Sequence, residues 1–385
     1  MATLQYSLPL TEAVNTQLSQ SDVPASLTVE QCAKALAMSM TSFRRKLAQE
    51  ETSYKLIQNK FLNELSVEAL LENQANIDEL SFKLGYSERA TFERAFRQRF
   101  GTTPSKFREL SLVNSAQSSF LKLTEIAQNI PPMSDSCQQL LEEKDKGNLD
   151  LQRVTEIVGK DAIFSGRLMG QASKAIYGKT PKNLQEAISR NLGVGTVVNF
   201  AIIYAMKDAL QDHVGQKIIE QYSQAFLLAP KLFQRLRKLL KRPVDFDIAL
   251  TEQILVFSLL GIFLLSHKET YKHELMLHSL IGIDDLRLLN HHIKESMGIS
   301  IFSASSLMLS LWHIDANLVK QLNHLEKVSQ LQIKSNEQSE LILFMLSCLY
   351  IAATDHDDYS ALEQKAELLN INSFSELQEL LVTVS

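Results

Sequence analysis

Residues 80–108 read LSFKLGYSERATFERAFRQRFGTTPSKFR, and this stretch decides the fold of the N-terminal part of the chain. Apolar residues recur at helical spacing on both sides of Gly85, which predicts one helix that ends at the glycine and a second that begins just after it. Gly85 can adopt the positive φ that such a helix end requires. The hydroxyl of Ser87 is predicted to cap the second helix. A helix, a glycine turn and an arginine-bearing amphipathic helix form a helix-turn-helix, whose second helix can enter a major groove.

The same stretch carries five elements at fixed spacings: Gly85-Tyr86-Ser87, Phe92-Glu93-Arg94-Ala95-Phe96, Phe100-Gly101, Pro104 and Phe107-Arg108. In this pattern it resembles the second helix-turn-helix of AraC/XylS-type transcription regulators. The resemblance implies a domain with two helix-turn-helix units and double-stranded DNA as the partner. The alternative is an ordinary amphipathic helical hairpin, and the number of matched spacings favours the regulator.

Residues 27–50, LTVEQCAKALAMSMTSFRRKLAQE, predict the first helix-turn-helix. Thr28 and Gln31 have the spacing of a capping box at the start of its first helix. The segment resembles the first half of the AraC-type pair, although its turn reads Ala37-Met38-Ser39 where the family often has Gly-x-Ser. Residues 53–73 have apolar residues at helical spacing and predict the long helix that joins the two units in this family. Such a helix sets the separation of two recognition helices, which must be about 34 Å apart to read one face of DNA.

The resemblance places base-reading positions early on each recognition helix. Arginine there suits guanine O6 and N7, and glutamate can accept from cytosine N4. The predicted DNA-binding residues are Thr41, Arg44, Arg45 and Lys46 on the first recognition helix and Arg89, Ala90, Glu93, Arg94 and Arg97 on the second. For any one of these residues, the alternative is a solvated helix face with no partner.

The 385 residues are too many for one ordinary core and predict two or three domains. The chain has 13 glycines and 8 prolines, and strand-like alternation is rare, so we expect an all-α fold. The net charge is −5, so DNA binding must depend on a local basic patch. Residues 1–110 are near neutral, which predicts modest non-specific binding.

The cysteines and the apolar runs indicate a cytoplasmic protein. Three cysteines lie far apart without metal-ligand spacing, and no signal peptide is recognisable, so reduced thiols in a cytoplasm are expected. The longest apolar run, residues 254–265, is too short to span a bilayer and predicts a buried core helix. We therefore expect no membrane partner.

Residues 131–193 carry a second ordered pattern, which includes Pro131-Pro132-Met133, Asp161-Ala162, Ser173-Lys174-Ala175, Ile176-Tyr177-Gly178 and Ala187 to Gly193. In the order and spacing of these elements the segment resembles the HDOD domain, a helical signalling relative of the HD phosphohydrolases. Two departures are the missing proline after Asp161 and Ser-Lys-Ala in place of the usual Asn-Ser-Ala. The resemblance implies a domain that senses a small-molecule signal or docks a protein.

The metal ligands of the HD phosphohydrolases are missing from this pattern. The family places an adjacent His-Asp pair after an apolar stretch, which here is residues 257–263, FSLLGIF, and contains no ionisable group. The position of a second family histidine falls near Ile301, which is apolar. The position of a third falls near His324, which is the one expected histidine that this sequence has. One imidazole cannot hold a catalytic metal, so we expect no metal, no cofactor and no enzymatic activity.

Other histidines give no better site. His356-Asp357 lies some 90 residues beyond the family position, in an acidic run that predicts a solvated loop. His291 and His292 are adjacent on a predicted helix and diverge by about 100°, so they cannot chelate one ion together.

The sequence thus predicts a tail or short leading helix at 1–20, an AraC-type double helix-turn-helix at 21–110, a linker at 111–119 and an HDOD-like helical domain at 120–385. The predicted function is sequence-specific transcription regulation, with the catalytically degenerate HDOD-like domain as a sensor or docking module. One alternative is a signalling scaffold whose helix-turn-helix half binds protein. The other is an HD-type metal-dependent phosphohydrolase.

Overall fold

The computed structural model describes residues 9–50, 52–72, 76–111, 126, 134–270, 272–312, 314, 316–354 and 356–382. Within these residues the regular secondary structure is helical, apart from an isolated antiparallel bridge between Leu240 and Ile371. This confirms the predicted all-α fold. The chain divides into two compact units, Met1–Leu112 and Val113–Ser385. The predicted linker, 111–119, lies outside the described residues from residue 112 onward.

The N-terminal unit consists of short helices around one long helix, α4. The helices are α1 (Leu10–Ser19), α2 (Val29–Ala35), α3 (Met40–Gln49), α4 (Tyr54–Glu72), α5 (Ile77–Lys83), α6 (Arg89–Phe100) and α7 (Pro104–Ser111). Helices α2 and α3 form the first helix-turn-helix, α5 and α6 form the second, and α4 is the predicted connection. The predicted capping box at α2 is confirmed: Gln31 N donates to Thr28 Oγ1 at 3.2 Å, and Thr28 N donates to Gln31 Oε1 at 2.8 Å.

Helix α1 belongs to the core of the first helix-turn-helix. Leu10, Val14 and Leu18 recur at every fourth position, are buried, and pack in one cluster with Phe43 and Leu47. Because this stripe is covered, residues 10–19 form a leading helix of the N-terminal unit, which therefore begins before the predicted boundary at residue 21.

A carboxylate from α3's end holds the start of α1. Leu10 N donates to Glu50 Oε1 at 2.7 Å, and Thr11 N donates to Glu50 Oε2 at 2.9 Å. Desolvation opposes ionisation, but the hydrogen bonds from Thr11 and Leu10 lower the pKa of Glu50. A negative charge at a helix N-terminus satisfies its unpaired N–H groups and complements its dipole.

The second helix-turn-helix has an aromatic core. Phe92, Phe96 and Phe100 of α6 are buried. Phe96 and Phe100 pack on Phe107 of α7, with ring centroids 5.5 Å and 5.8 Å away, and Phe92 packs on Phe96 at 5.9 Å. The predicted cap by Ser87 is wrong. Helix α6 begins at Arg89, so Ser87 lies one residue before the N-cap position, where Glu88 makes no side-chain cap.

The C-terminal unit is a larger helical body. Its helices are α8 (Asp135–Asp145), α9 (Leu151–Gly159), α10 (Ala162–Ala172), α11 (Leu184–Leu192), α12 (Val194–Leu210), α13 (Gln216–Leu239), α14 (Ile248–Phe257), α15 (Gly261–Leu265), α16 (His273–Gly282), α17 (Leu286–Met297), α18 (Ile301–Leu311), α19 (Ala316–Ser329), α20 (Glu337–Ala352), α21 (Ser360–Leu368) and α22 (Phe374–Val382). The long helix α13 packs against α12, α14 and α20 and is the centre of this body.

An apolar stretch lies inside this unit. Among the residues that the structure describes, Ile248–Leu265 alone is long and apolar enough to cross a membrane by length and composition, with a mean hydropathy of 2.2. Helices α11 and α12 pass the same test only if they are counted as one span bent by 106°. Because 78% of Ile248–Leu265 is buried within the unit, it is the core segment that the sequence predicted.

The closest helix crossing in this core is centred on Gly261. A Cβ atom built on Gly261 would lie 2.2 Å from the carbonyl oxygen of Ile301 and 2.8 Å from Cβ of Ala304. Ser305 Oγ accepts a hydrogen bond from Gly261 N at 2.7 Å and donates one to Ser258 O at 2.7 Å. Helices α15 and α18 can touch at this point because residue 261 has no side chain.

We predict that Gly261→Ala lowers the free energy of unfolding of the C-terminal unit by about 3 kcal/mol or more, because the added methyl group must push two buried backbones apart. Gly166→Ala, within α10, is the matched control: nothing lies within 4 Å of its new Cβ. This control should stabilise the unit by about 0.5–1 kcal/mol. Denaturant unfolding checks both values, and equal stability of Gly261→Ala and wild type would contradict the close crossing.

Candidate nucleic-acid interface

Helix α3 presents the first group of predicted DNA-binding residues to solvent. Its Phe43 and Leu47 are buried, while Thr41, Arg44 and Arg45 are exposed. These three follow the i, i+3, i+4 spacing and therefore share the face opposite the buried residues. The arrangement leaves two guanidinium groups beside one hydroxyl on a free helix face.

Lys46 lies to one side of that face. It is exposed and lies one helical turn before Glu50. Desolvation raises the pKa of Glu50, whereas the hydrogen bonds from Thr11 and Leu10 and the charge of Lys46 lower it. Its position therefore suits a phosphate contact at the edge of a groove better than a base contact.

The turn of the first helix-turn-helix contains an alanine in the left-handed backbone conformation that glycine usually adopts. Ala37 has φ +52°, and Met38 N donates to Ala33 O at 2.9 Å to close the turn. A left-handed conformation costs a residue with a Cβ roughly 1–2 kcal/mol. Ala37 thus keeps the turn geometry of the family without its glycine.

Helix α6 presents the second group. Ala90, Arg94 and Arg97 are exposed at the i, i+4, i+7 spacing, and Phe92 and Phe96 hold the other side in the core. Within the described part of the chain, neither Arg94 nor Arg97 makes an ion pair, and the same holds for Arg44 and Arg45. Both recognition helices therefore carry cations that remain available to a phosphate or a guanine.

Arg89 and Glu93, in contrast, bind each other. Arg89 Nε lies 2.6 Å from Glu93 Oε1, and Arg89 Nη1 lies 3.1 Å from Asp78 Oδ2. Because these side chains are partly exposed, such pairs contribute little to stability. DNA can displace them at small cost, but in the free protein Arg89 and Glu93 are engaged.

A segment between α1 and α2 joins the two helix-turn-helix units. Ala25 N donates to Leu84 O at 2.9 Å, and Ser26 Oγ donates to Gly85 O at 2.6 Å. Through these hydrogen bonds, residues 25 and 26, which precede the first helix-turn-helix, are held against the turn of the second helix-turn-helix. The sequence analysis missed this connection, because a loop without periodicity gives no signal for its partners.

The long helix α4 holds the same segment from its other side. Gln58 Nε2 donates to Pro24 O at 2.8 Å and to Leu27 O at 2.9 Å, and Tyr54 OH donates to Leu27 O at 2.6 Å. Burial raises the pKa of Tyr54 to about 12, so its hydroxyl stays a donor at neutral pH. Residues 24–27 are thus fixed between α4 and the second turn.

Gly85 lies where the turn of the second helix-turn-helix approaches Val23 in the loop between α1 and α2. Its φ is +91°, and a Cβ atom there would lie 2.9 Å from Cβ of Val23 and 3.0 Å from two backbone carbons of Val23. Both the backbone conformation and the lack of space therefore require glycine.

The C-terminal unit has apolar residues at the positions where the sequence analysis looked for the metal ligands of HD phosphohydrolases. Leu260, Gly261 and Ile262 are buried in the α15–α18 contact, and Ile301 is buried beside them. His324 Nε2 lies 3.3 Å from Ser339 Oγ. In the part of the chain that the structure describes, no group of three His, Cys, Asp or Glu side chains has a geometry that could hold a metal ion. These residues do not fit the metal centre of the superfamily.

The remaining histidines that the sequence analysis considered lie on a helix surface or in a loop. His291 and His292 are exposed on α17, which confirms the helix-surface interpretation. His356 is half-buried and Asp357 is exposed in a stretch without regular secondary structure.

Two protein families match the chain. A helix-turn-helix domain family matches residues 32–110, and the HDOD domain family matches residues 130–328, which is more than half of the chain.

Individual relatives match the N-terminal region. The HTH-type transcriptional regulator VqsM of Pseudomonas aeruginosa is 40% identical over 76 residues, 20% of this chain and 23% of that protein. The ornithine utilization regulator of the same species is 33% identical over 81 residues, 21% of this chain and 24% of that protein. The chain thus spans about a quarter of the length of these curated relatives.

One solved structure, a protein of Marinobacter aquaeolei VT8 described as acting in signal transduction, is similar with a TM-score of 0.47 at 15% identity. The similarity covers 76% of this chain and 63% of that one.

We predict that Gly85→Ala lowers the free energy of unfolding of the N-terminal unit by about 2 kcal/mol or more, because it adds backbone strain to a clash with Val23. Gly147→Ala is the control for backbone strain alone, since Gly147 has φ +73° and nothing within 4 Å of a new Cβ. The control should lose only about 1–2 kcal/mol from its own unit. Thermal unfolding of the two variants separates the effects; a Gly85→Ala loss no larger than that of the control would refute the close approach.

Proposed function

Because the chain belongs to the HDOD domain family and also carries a helix-turn-helix domain of the AraC type, we propose that it is a sequence-specific, DNA-binding transcription regulator. The observation that carries the proposal is the pair of exposed, arginine-bearing helices, α3 and α6, in one N-terminal unit. The similarity of this unit to transcriptional regulators supports it.

In this proposal each recognition helix enters a major groove. Arg44, Arg45 and Arg94 read base edges, because a guanidinium can donate two hydrogen bonds to guanine O6 and N7. Arg97 and Lys46 contact phosphates, which position the protein without reading sequence. Arg89 and Glu93 exchange their mutual ion pair for DNA contacts.

The fixed segment at residues 24–27 supplies the register between the two helices. Two recognition helices read one face of a duplex when they are separated by about one turn, roughly 34 Å. Because hydrogen bonds tie residues 25 and 26 to the second turn and residue 27 to α4, the unit presents both helices as one body. Binding to DNA then does not carry the entropic cost of ordering two independent modules.

We assign the HDOD domain a regulatory role, as a sensor of a small molecule or a docking site for a protein, and no catalytic role. The support is the donor set: apolar, tightly packed residues stand where the HD enzymes bind their metal. An HD-type phosphohydrolase remains the alternative that a stoichiometric metal would favour. A scaffold whose helix-turn-helix half binds protein is the second alternative, and sequence-selective DNA binding separates it from a regulator.

The domain boundaries in this proposal are a DNA-binding unit that includes α1 and extends to residue 110, a linker at 111–119 and the HDOD domain at 120–385. We place the protein in the cytoplasm, where its DNA target is. Its thiols fit a reducing compartment: Cys32, Cys137 and Cys348 are buried and form no disulfide, and burial raises the pKa of Cys137 to about 12.

We predict that Arg44→Ala and Arg94→Ala each weaken binding to the preferred DNA site by about 1–3 kcal/mol and relax selection at one base position. Lys60→Ala is the matched control, because Lys60 is an exposed cation on α4, away from both recognition helices. Titration of labelled duplexes at fixed salt measures the three affinities. If both arginine variants bind the selected site as tightly as the lysine control, the base-reading assignment fails.

We also predict that the C-terminal unit controls DNA affinity. A ligand or partner of the HDOD domain should change the affinity of the full chain for DNA by about 5- to 150-fold, a typical coupling of 1–3 kcal/mol. The physical reason is that it binds the DNA-competent and the DNA-incompetent arrangements of the chain with different affinities. The fragment 1–115 should not respond. The comparison uses one operator at one salt concentration. Should candidate nucleotides, cell extract and the isolated C-terminal half all leave DNA affinity unchanged, the HDOD domain is not a regulatory sensor.

A further inference from the structure

The C-terminal unit contains a cleft lined by both polar and apolar residues. Its volume is about 410 Å³, and it opens between the end of α8 and the first turns of α12 and α14. The side chains that matter here are Lys144, Leu149, Val198, Asn199, Glu252 and Gln253. A cleft of this size is in the range of small-molecule sites.

Two amide side chains in the cleft have no partner within the protein. Asn199 on α12 is 3% exposed and Gln253 on α14 is 8% exposed. In the described part of the chain neither makes a side-chain hydrogen bond to another residue. Neither amide is among the fully buried polar groups that lack a partner, so the amide atoms keep contact with the solvent in the cleft. Since both amides line the cleft, a partner can reach them from it.

A comparison within the same unit shows how unusual this is. Asn191 is buried to a similar degree, at 5% exposure, but its Nδ2 donates to Ala172 O at 2.8 Å and to Lys179 O at 3.1 Å. The unit thus satisfies a buried amide by its own backbone where the role is structural. Asn199 and Gln253 instead face open space.

Two charged groups flank the amides. Lys144 is half-buried and makes no ion pair with any described residue, so its ammonium group is available. Glu252 is half-buried, and desolvation raises its pKa, while the charge of Arg237 acts in the opposite direction. A third group, Asp247, is already engaged, because its Oδ1 accepts from Leu250 N at 3.0 Å as the cap of α14. The cleft is therefore lined by one cation, the carboxyl groups of Glu252 and Asp247, and the amides of Asn199, Gln253 and Asn317, of which Asp247 and Asn317 already have partners.

We propose that this cleft binds a mononucleotide. Asn and Gln amides pair with the edges of purine and pyrimidine bases, which present adjacent donors and acceptors. The Lys144 ammonium suits the phosphate, and Leu149 and Val198 can pack against the faces of the base. Glu252 can accept from a ribose hydroxyl or an exocyclic amine. A free amino acid matches the charges but fills only a small part of the volume.

This inference rests on the proposed function in one respect, because it names the signal that the HDOD domain would sense. Its test uses the full chain without DNA, so nucleotide binding and DNA binding can fail separately. Isothermal titration compares the four ribonucleoside monophosphates with their nucleosides, inorganic phosphate and glutamine. The expected result is saturable, one-to-one binding of at least one monophosphate, with its nucleoside at least about tenfold weaker. Binding of no monophosphate up to millimolar concentration, or equal binding of phosphate alone or glutamine, overturns the proposal.

Three variants localise the binding. Gln253→Leu and Asn199→Leu should each weaken the binding of the nucleotide by about tenfold or more, yet leave the melting temperature of the ligand-free chain nearly unchanged, because neither amide makes a side-chain hydrogen bond within the described residues. Lys144→Met should weaken the monophosphate and leave the nucleoside unaffected. Asn191→Leu is the control that should lower the melting temperature. Retention of nucleotide affinity in both amide variants overturns the site, and so does a loss of stability in them equal to that of the control.

Discussion

The N-terminal unit depends on one close contact, the approach of Gly85 to the backbone of Val23. This contact brings the loop that precedes the first helix-turn-helix against the turn of the second. From it follow the hydrogen bonds of Ala25 and Ser26 to that turn, and those of Gln58 and Tyr54 from α4. A side chain at position 85 would separate the two units and with them the recognition helices. The glycine that ends one helix in the sequence pattern therefore also sets how the two helix-turn-helix segments are arranged within the N-terminal unit.

A second glycine has an equivalent role in the HDOD domain, with a different consequence. Gly261 lets α15 lie against α18, and this contact closes the apolar core around residues 257–263. In the same domain, the amides of Asn199 and Gln253 line a cleft and make no side-chain hydrogen bond within the described residues.

The sequence predicted those features that depend on neighbours along the chain. The turn at Gly85, the capping box at Thr28 and the all-α fold are local, since periodicity and caps act within a few residues. The prediction failed for Ser87 by a single residue, because the cap position depends on where the backbone becomes helical. Contacts between distant residues left no local pattern: the Glu50 carboxylate on α1, the segment at residues 24–27 and the ion pair of Arg89, a predicted DNA-binding residue, with Asp78.

The central claim is that two rigidly connected helices read DNA sequence, and selection of bound sequences from random duplex DNA with the full chain tests it most directly. The account predicts an enriched motif with two conserved halves whose centres lie about one helical turn, roughly 10–10.5 base pairs, apart. The spacing should be constant among the selected sequences, because residues 24–27 fix one unit against the other. Enrichment of no motif, or of two halves at variable spacing, would contradict it.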